Sequence, residues 1–131
     1  MTEHAATIRH TFPADPGAPG VARHAIREFL RGADPGTLAD VLLAVSEVVT
    51  NCVVHGYRDA PAGSVALEAR RNGDALLLSV TDDGSGMAPR LDSPGLGLGL
   101  PLISRVAERV DISAPPSGGT LVSMYFSLGP H

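Results

Sequence analysis

What this chain lacks narrows it first. It has one cysteine, Cys52, so no disulfide can close within it, and a lone thiol fits a reducing compartment. It has no tryptophan, and aromatics make up only 4% of residues, so Leu, Val and Ala must supply the core. It has no strong excess of either charge. A formal net charge of −4 gives no electrostatic reason to expect nucleic acid or an anionic membrane. The opening "MTEHAATIRH" has no apolar core of the kind a signal peptide needs. No apolar run is expected to approach the roughly 18 residues of a membrane span. A cytoplasmic protein without membrane contact is the expectation. What the chain has in quantity is apolar and turn-forming: 44% hydrophobic residues over 131 positions, with 15 Gly and 11 Pro. That is enough apolar material for one core, and residues 1–131 read as a single domain with many turns.

Hydrophobic spacing sets the expected order of elements. "TIRHTF" alternates weakly and suits an edge strand, and "PADPGAPG" is a loop. "VARHAIREFL" puts Val21, Ala22, Ala25, Ile26, Phe29 and Leu30 at helical spacing, with Arg23, Arg27 and Arg31 on another face. "RGADPG" ends that helix, and Asp34 or Thr37 can cap a second, expected from about 37 to 55. Its buried stripe is predicted as Leu38, Val41, Leu42, Val45, Val49 and Cys52. "SVALEARRNGDALLLSV" is a hairpin, with Val65, Leu67 and Ala69 on one face and Asn72-Gly73 suited to a type I′ turn. "ALLLSV" is the more buried, central strand of the pair. After a long Gly-rich loop come a helix over "LPLISRVAER" and strands over "VDISA" and "TLVSMYFSL". Adjacent hairpins with interspersed helices predict an α+β, two-layer sandwich: a mixed, mainly antiparallel sheet with helices on one face.

Three stretches carry candidate chemistry. On the second helix Glu47 and Asn51 lie one turn apart, opposite the predicted stripe. The plain reading is a solvated face. Yet Ala44, Val48 and His55 flank the pair, and no Lys or Arg accompanies Glu47. "DDGSGM" puts Asp82 at the end of the central strand before Gly84 and Gly86, a turn where backbone can approach a ligand; Asp-Gly is also common in plain turns. "GLGLGL" opens a helix, where free N–H groups and the dipole favour phosphate oxygens. It is not a P-loop, because no Gly-Lys-Ser/Thr follows, and Leu100 stands where a dinucleotide-binding fingerprint needs its third glycine.

Taken in order, Glu-x-x-x-Asn, Asp-x-Gly-x-Gly, a Gly-x-Gly run before a helix and Gly-Thr near the C-terminus resemble the GHKL ATP-binding fold of gyrase, MutL and histidine kinases. "LLAVSEVVTNCVVHGY" is most similar to the anti-sigma factors that are also serine kinases, the RsbW and SpoIIAB type. That resemblance implies ATP and Mg²⁺ as cofactors. It implies Asp82 as acceptor for the adenine amino group, Gly84, Gly86 and Met87 beside the base, and Thr120 supporting adenine next to Asp82. Asn51 matches the Mg²⁺ ligand and belongs with the ATP-binding positions. Gly97, Leu98 and Gly99 match the turn whose amides meet the phosphates, with Gly95 just before it. Glu47 matches the general base, the one carboxylate that phosphoryl transfer needs near the nucleophile. Arg23 lies where such proteins present an arginine to a sigma factor.

The resemblance thus implies a serine/threonine protein kinase that phosphorylates an anti-anti-sigma (STAS-type) protein and sequesters a sigma factor, as a homodimer. Two departures stand against the kinase pattern. About eight residues separate Met87 from Gly95, a shorter lid than usual, and Gly95 and Leu96 stand where such kinases often carry a basic residue before the Gly turn, with Arg90 the lid's only cation. An ATP-binding partner-switch module without kinase activity is the alternative.

Overall fold

The computed structural model describes residues 5–59, 63–82, 99–113 and 119–129, with side chains for 5–53, 63–82, 102–113 and 119–129. The elements run β1 (Ala5–Pro13), α1 (Ala18–Phe29), α2 (Pro35–Asp59), β2 (Ser64–Asn72), β3 (Ala75–Asp82), α3 (Gly99–Val106), β4 (Arg109–Ser113) and β5 (Leu121–Ser127). This is the order expected from the sequence. The five strands form one sheet in the order β1-β2-β3-β5-β4. Every pairing among them is antiparallel. The weakly alternating first strand lies at an edge, and the apolar β3 is central. Leu76, Leu78 and Val80 of β3 are buried on the helix side, while Leu77, Ser79 and Thr81 lie half-buried on the other face. That open face carries Arg109 stacked 5.2 Å from the Tyr125 ring centroid.

The first two helices begin where side chains hold them. Asp15 Oδ1 accepts from the Gly17 N–H at 2.9 Å, and α1 starts within the Pro-rich stretch, three residues before "VARHAIREFL". Pro19 causes no loss there, since first-turn N–H groups have no helical acceptor. Asp34 caps α2: its Oδ2 accepts from the Thr37 N–H at 3.0 Å, and Pro35 takes the first helical position.

Packing corrects four expectations. Val21 is 47% exposed. Ala18, Ala22, Ala25 and Ile26 form the buried seam of α1, and at about 100° per residue Val21 falls roughly a quarter-turn off it. On α2 the buried arc is broader than predicted, because Ala44 and Val48 join Val41, Val45, Val49 and Cys52 in the core. Leu38 and Leu42 pack only at its margin. The β2–β3 turn is Gly73-Asp74, since Asn72 pairs with Ala75. Gly73 has φ +61° and Asp74 has none of its positive φ, the sign pattern of a type II′ rather than a type I′ turn. Finally, Pro35–Val53 is long and apolar enough, at mean hydropathy 1.4, to meet the length and composition of a membrane span. The reason lies in its place: α2 packs against α1, α3 and β3, so its apolar arc is the centre of the core.

Candidate functional site

The site is built where the central strands end under α2. Strand alternation puts Val80 and then Asp82 on the helix side of β3, and Val122 and then Thr120 on the same side of the β5 chain. The two chains stay together past the paired residues, because the Asp82 N–H donates to the Thr120 carbonyl at 3.1 Å. Gly119, with φ +84°, provides the left-handed turn that brings the chain into this register, a conformation that costs glycine little. Asp82 and Thr120 thereby sit side by side, facing α2.

They are the buried polar residues among the described ones, at 7% and 0% exposure. A desolvated carboxylate and hydroxyl are costly unless something meets them. The Thr120 Oγ1 is fully buried with no hydrogen-bond partner among the described residues. Such an orphaned hydroxyl beside a buried carboxylate fits a ligand that brings its own polar edge, as an amino-substituted heterocycle does.

Above the pair lies the second half of α2. Cys52, at the centre of the buried arc, has its thiol pushed up to about 12, first by burial and then by the Asp82 carboxylate. Asn51 is the next residue back and Glu47 one turn earlier, both half-buried. The flank they share with Ala44 and Val48 is not the wet face that a solvated pair would occupy. On the opposite flank, Arg23 Nη1 donates to Ser46 Oγ at 3.2 Å, and Ser46 Oγ donates back to the Leu42 carbonyl at 2.7 Å. Arg23 is thus tied to the α1–α2 seam.

The structure accordingly joins Asp82 to Thr120, places Asn51 and Glu47 half-buried on α2, the helix that packs on β3, and ties Arg23 to the opposite flank of that helix. Gly99 is the first residue of α3. Gly84, Gly86, Met87, Gly95, Gly97 and Leu98 lie outside the described residues. The sequence places Cys52 on the buried stripe without linking it to Asp82, and shows Ser46 only as the residue before Glu47 in the family wording, not as a partner of Arg23. For Cys52 only its place beside Asn51 was a signal; Ser46 had none. A cleft of about 450 Å³ opens at the other end of the sheet, beside Thr7, Arg70, Leu77 and Tyr125. None of its polar side chains is buried, so it lacks the feature that marks the Asp82 end.

For Mg²⁺ the protein's share is small by nature. The ion keeps several waters and uses one or two protein oxygens with substrate phosphates, and the Asn51 amide oxygen suits that role.

Comparison with known proteins bears on the fold and the family. The family described as histidine kinase-like ATPase domain matches residues 12–126. The anti-sigma F factor of Thermoanaerobacter sp. (strain X514) is 31% identical over 121 residues, covering 82% of this chain and 84% of that protein. That of Clostridium beijerinckii is 32% identical over 114 residues, covering 77% and 80%. In the crystal structure of the RsbU and RsbW domains of a Mycobacterium tuberculosis protein, the matched part superposes with a TM-score of 0.76 at 28% identity. It covers 96% of this chain, which spans 33% of that longer one. From its first strand to its last, this chain belongs to the histidine kinase-like ATPase domain family, with anti-sigma F factors among its relatives.

Proposed function

We propose that this domain binds Mg-ATP at the Asp82–Thr120 end of the sheet. We infer further that it is an anti-sigma factor and a serine/threonine protein kinase whose phosphoacceptor is an anti-anti-sigma protein of the STAS type. The observation that carries the reading is the buried pair, Asp82 with the unpartnered Thr120 hydroxyl. Asp82 accepts from the adenine amine, and Thr120 meets the adjacent polar edge. A carboxylate acceptor selects for adenine, because guanine would present a carbonyl there. The names of the anti-sigma F factor relatives support the regulatory half.

Bound ATP supplies the transferable phosphoryl group, and Mg²⁺ offsets its charge. Asn51 holds the ion through its amide oxygen. Gly97, Leu98 and Gly99 at the entry to α3, with Gly95 before them, offer backbone N–H groups to phosphate oxygens. Gly84 and Gly86 let the backbone pass close to the base, and Met87 packs on it. Glu47 orients the attacking hydroxyl and takes its proton, the contribution of one positioned base to phosphoryl transfer. Arg23 receives the protein partner, held ready by Ser46, and the working unit is a homodimer.

The test is incubation with ATP labelled on its terminal phosphate together with each co-encoded candidate antagonist. Transfer to a serine or threonine is expected. Wild-type protein that binds no adenine nucleotide in calorimetry would overturn the whole reading. The short stretch between Met87 and Gly95, with Arg90 its only cation, favours the second reading, a partner-switch module that binds ATP without transferring phosphate. Binding without transfer selects it.

A further inference from the structure

We propose that the open face of the sheet, turned away from the helices, is a two-fold interface with a second copy of this chain. This rests on the homodimer reading above and adds which surface and which residues form the contact.

Strand register fixes what the face presents. Among the described residues the helices lie on the other side, in one core with Leu76, Leu78 and Val80. On the open side, one row runs from β1 to β4 as Thr7, Arg70, Leu77, Tyr125 and Arg109. The next runs as Arg9, Glu68, Ser79, Ser123 and Asp111. A third sets Ala66 beside Thr81 and Leu121. The columns of β3 and β5 carry no charge here, and Leu77, Leu121 and Tyr125 are half-buried. Charge stands to either side of this centre, with Arg9 at one edge of the middle row and Asp111 at the other.

That arrangement is complementary to itself. A two-fold axis lying in the interface parallel to β3 turns each edge of one copy onto the opposite edge of the other. Arg9 then meets the partner's Asp111, and Asp111 meets the partner's Arg9. The same rotation sets Arg70 on the partner's Tyr125, a cation against a ring. It sets Ala66 on the partner's Leu121, and Leu77 on its own copy at the axis. Pairs within the chain extend the network: Arg9 Nη2 lies 3.9 Å from Glu68 Oε1, and Arg109 Nε lies 3.0 Å from Asp111 Oδ2. The run from Glu68 through Arg9 to the partner's Asp111 and the partner's Arg109 therefore alternates in sign. An axis across the strands would instead put Arg9, Glu68 and Asp111 each against itself, like charge on like. Charge thus selects the second copy and its orientation, with strands nearly aligned as in ordinary sheet-on-sheet packing. The cleft of about 450 Å³ beside Thr7, Arg70, Leu77 and Tyr125 lies on the first row, and the partner's Arg70 and the partner's Leu77 enter it. Five strands at about 4.8 Å spacing and about 3.3 Å per residue give a flat area of roughly 600 Å². With side-chain relief that is on the scale of the ~800 Å² per partner of a stable interface.

Sedimentation velocity on the purified full chain tests this, with circular dichroism to confirm folding. Wild type should be a dimer. Arg9→Asp and Asp111→Arg each set like charges together at both symmetry-related contacts, and each should weaken dimerisation by about tenfold or more. The two changes in one chain should restore affinity to within about threefold of wild type, and an equimolar mixture of the single variants should associate as a heterodimer. If either variant fails to fold, Ser123→Glu and Ser123→Lys replace it. Ser123 faces the partner's Glu68, so the lysine variant should dimerise at least about tenfold more tightly than the glutamate one. A dimer indifferent to these charges overturns the proposal and leaves the homodimer reading standing, on another surface. A double variant no stronger than the singles overturns the pairing. Monomeric wild type overturns both the proposal and the homodimer reading, while calorimetry with Mg-ADP decides the nucleotide site separately.

Discussion

Thr120→Val should make the free protein more stable and the nucleotide bind more weakly. Thr120 is completely buried and its Oγ1 has no partner among the described residues, so the ligand-free protein bears the cost of a desolvated hydroxyl, about 1–3 kcal/mol. Valine replaces the hydroxyl with a methyl of similar volume and keeps the β-branching that suits an extended chain. The backbone is untouched, so the Thr120 carbonyl still accepts from the Asp82 N–H. Allowing for imperfect repacking, the gain should be about 1–2 kcal/mol, which at roughly 3–5 °C per kcal/mol for a domain of this size raises Tm by about 3–10 °C. Loss of one neutral hydrogen bond to the ligand costs about 0.5–1.5 kcal/mol, or roughly 2–13-fold in affinity. Ligand stabilises in proportion to RT ln(1 + [L]/Kd), so saturating Mg-ADP should raise the wild-type Tm more than the variant's. Scanning calorimetry with and without Mg-ADP reads both effects. A variant that melts below wild type without ligand would refute the claim that the hydroxyl is idle. A stabilised variant with unchanged affinity would detach Thr120 from the ligand.

Four further outcomes are expected. Asp82→Asn should keep the fold and lose adenine nucleotide binding by about 1.5–3 kcal/mol, the worth of a hydrogen bond to a charged acceptor, with the new amide opposing the adenine amine; calorimetry giving wild-type affinity would remove Asp82 from the base. Glu47→Gln should bind Mg-ATP normally yet transfer phosphate roughly 10²–10⁴-fold more slowly, the usual contribution of a positioned base. Asn51→Ala should instead weaken Mg-ATP binding itself, and full transfer by the Glu47 variant would assign the base elsewhere. The Cys52 thiol predicts a pH dependence. Its value is raised from 9.0 to about 12 in the fold by burial and then by Asp82, so the folded state keeps a proton that the unfolded state gives up. The stabilisation is complete below about pH 9 and lost as pH rises toward about 12, at up to about 1.4 kcal/mol per pH unit from this group. Denaturant titrations between about pH 9 and 10.5 should show that slope in wild type and its absence in Cys52→Ala; equal slopes would mean the thiol does not hold its proton.

The elements were legible in the sequence because each has its own period. The apolar run of β3, the alternation of Val65, Leu67 and Ala69, and the three-to-four spacing along α2 each hold whatever they pack against. Glu47, Asn51 and Asp82 were visible as candidates because a carboxylate or amide beside so much aliphatic surface is unusual. The tertiary structure decided the rest. Thr120 lies 38 positions after Asp82, and only the antiparallel pairing of β3 with β5 puts the two side by side; a shift of one residue would turn Thr120 to the open face. Val21 has the same local spacing as its buried neighbours, yet it is exposed because no described element packs on that side of α1. Ala44 and Val48 go the other way, buried because α2 has neighbours on more than one side. Cys52 shows the difference most plainly. Its periodicity makes it a core residue, and the Asp82 carboxylate from another strand adds to burial in holding its thiol protonated. Periodicity is a property of neighbours along the chain, whereas burial, register and electrostatic contact depend on which segments meet across it.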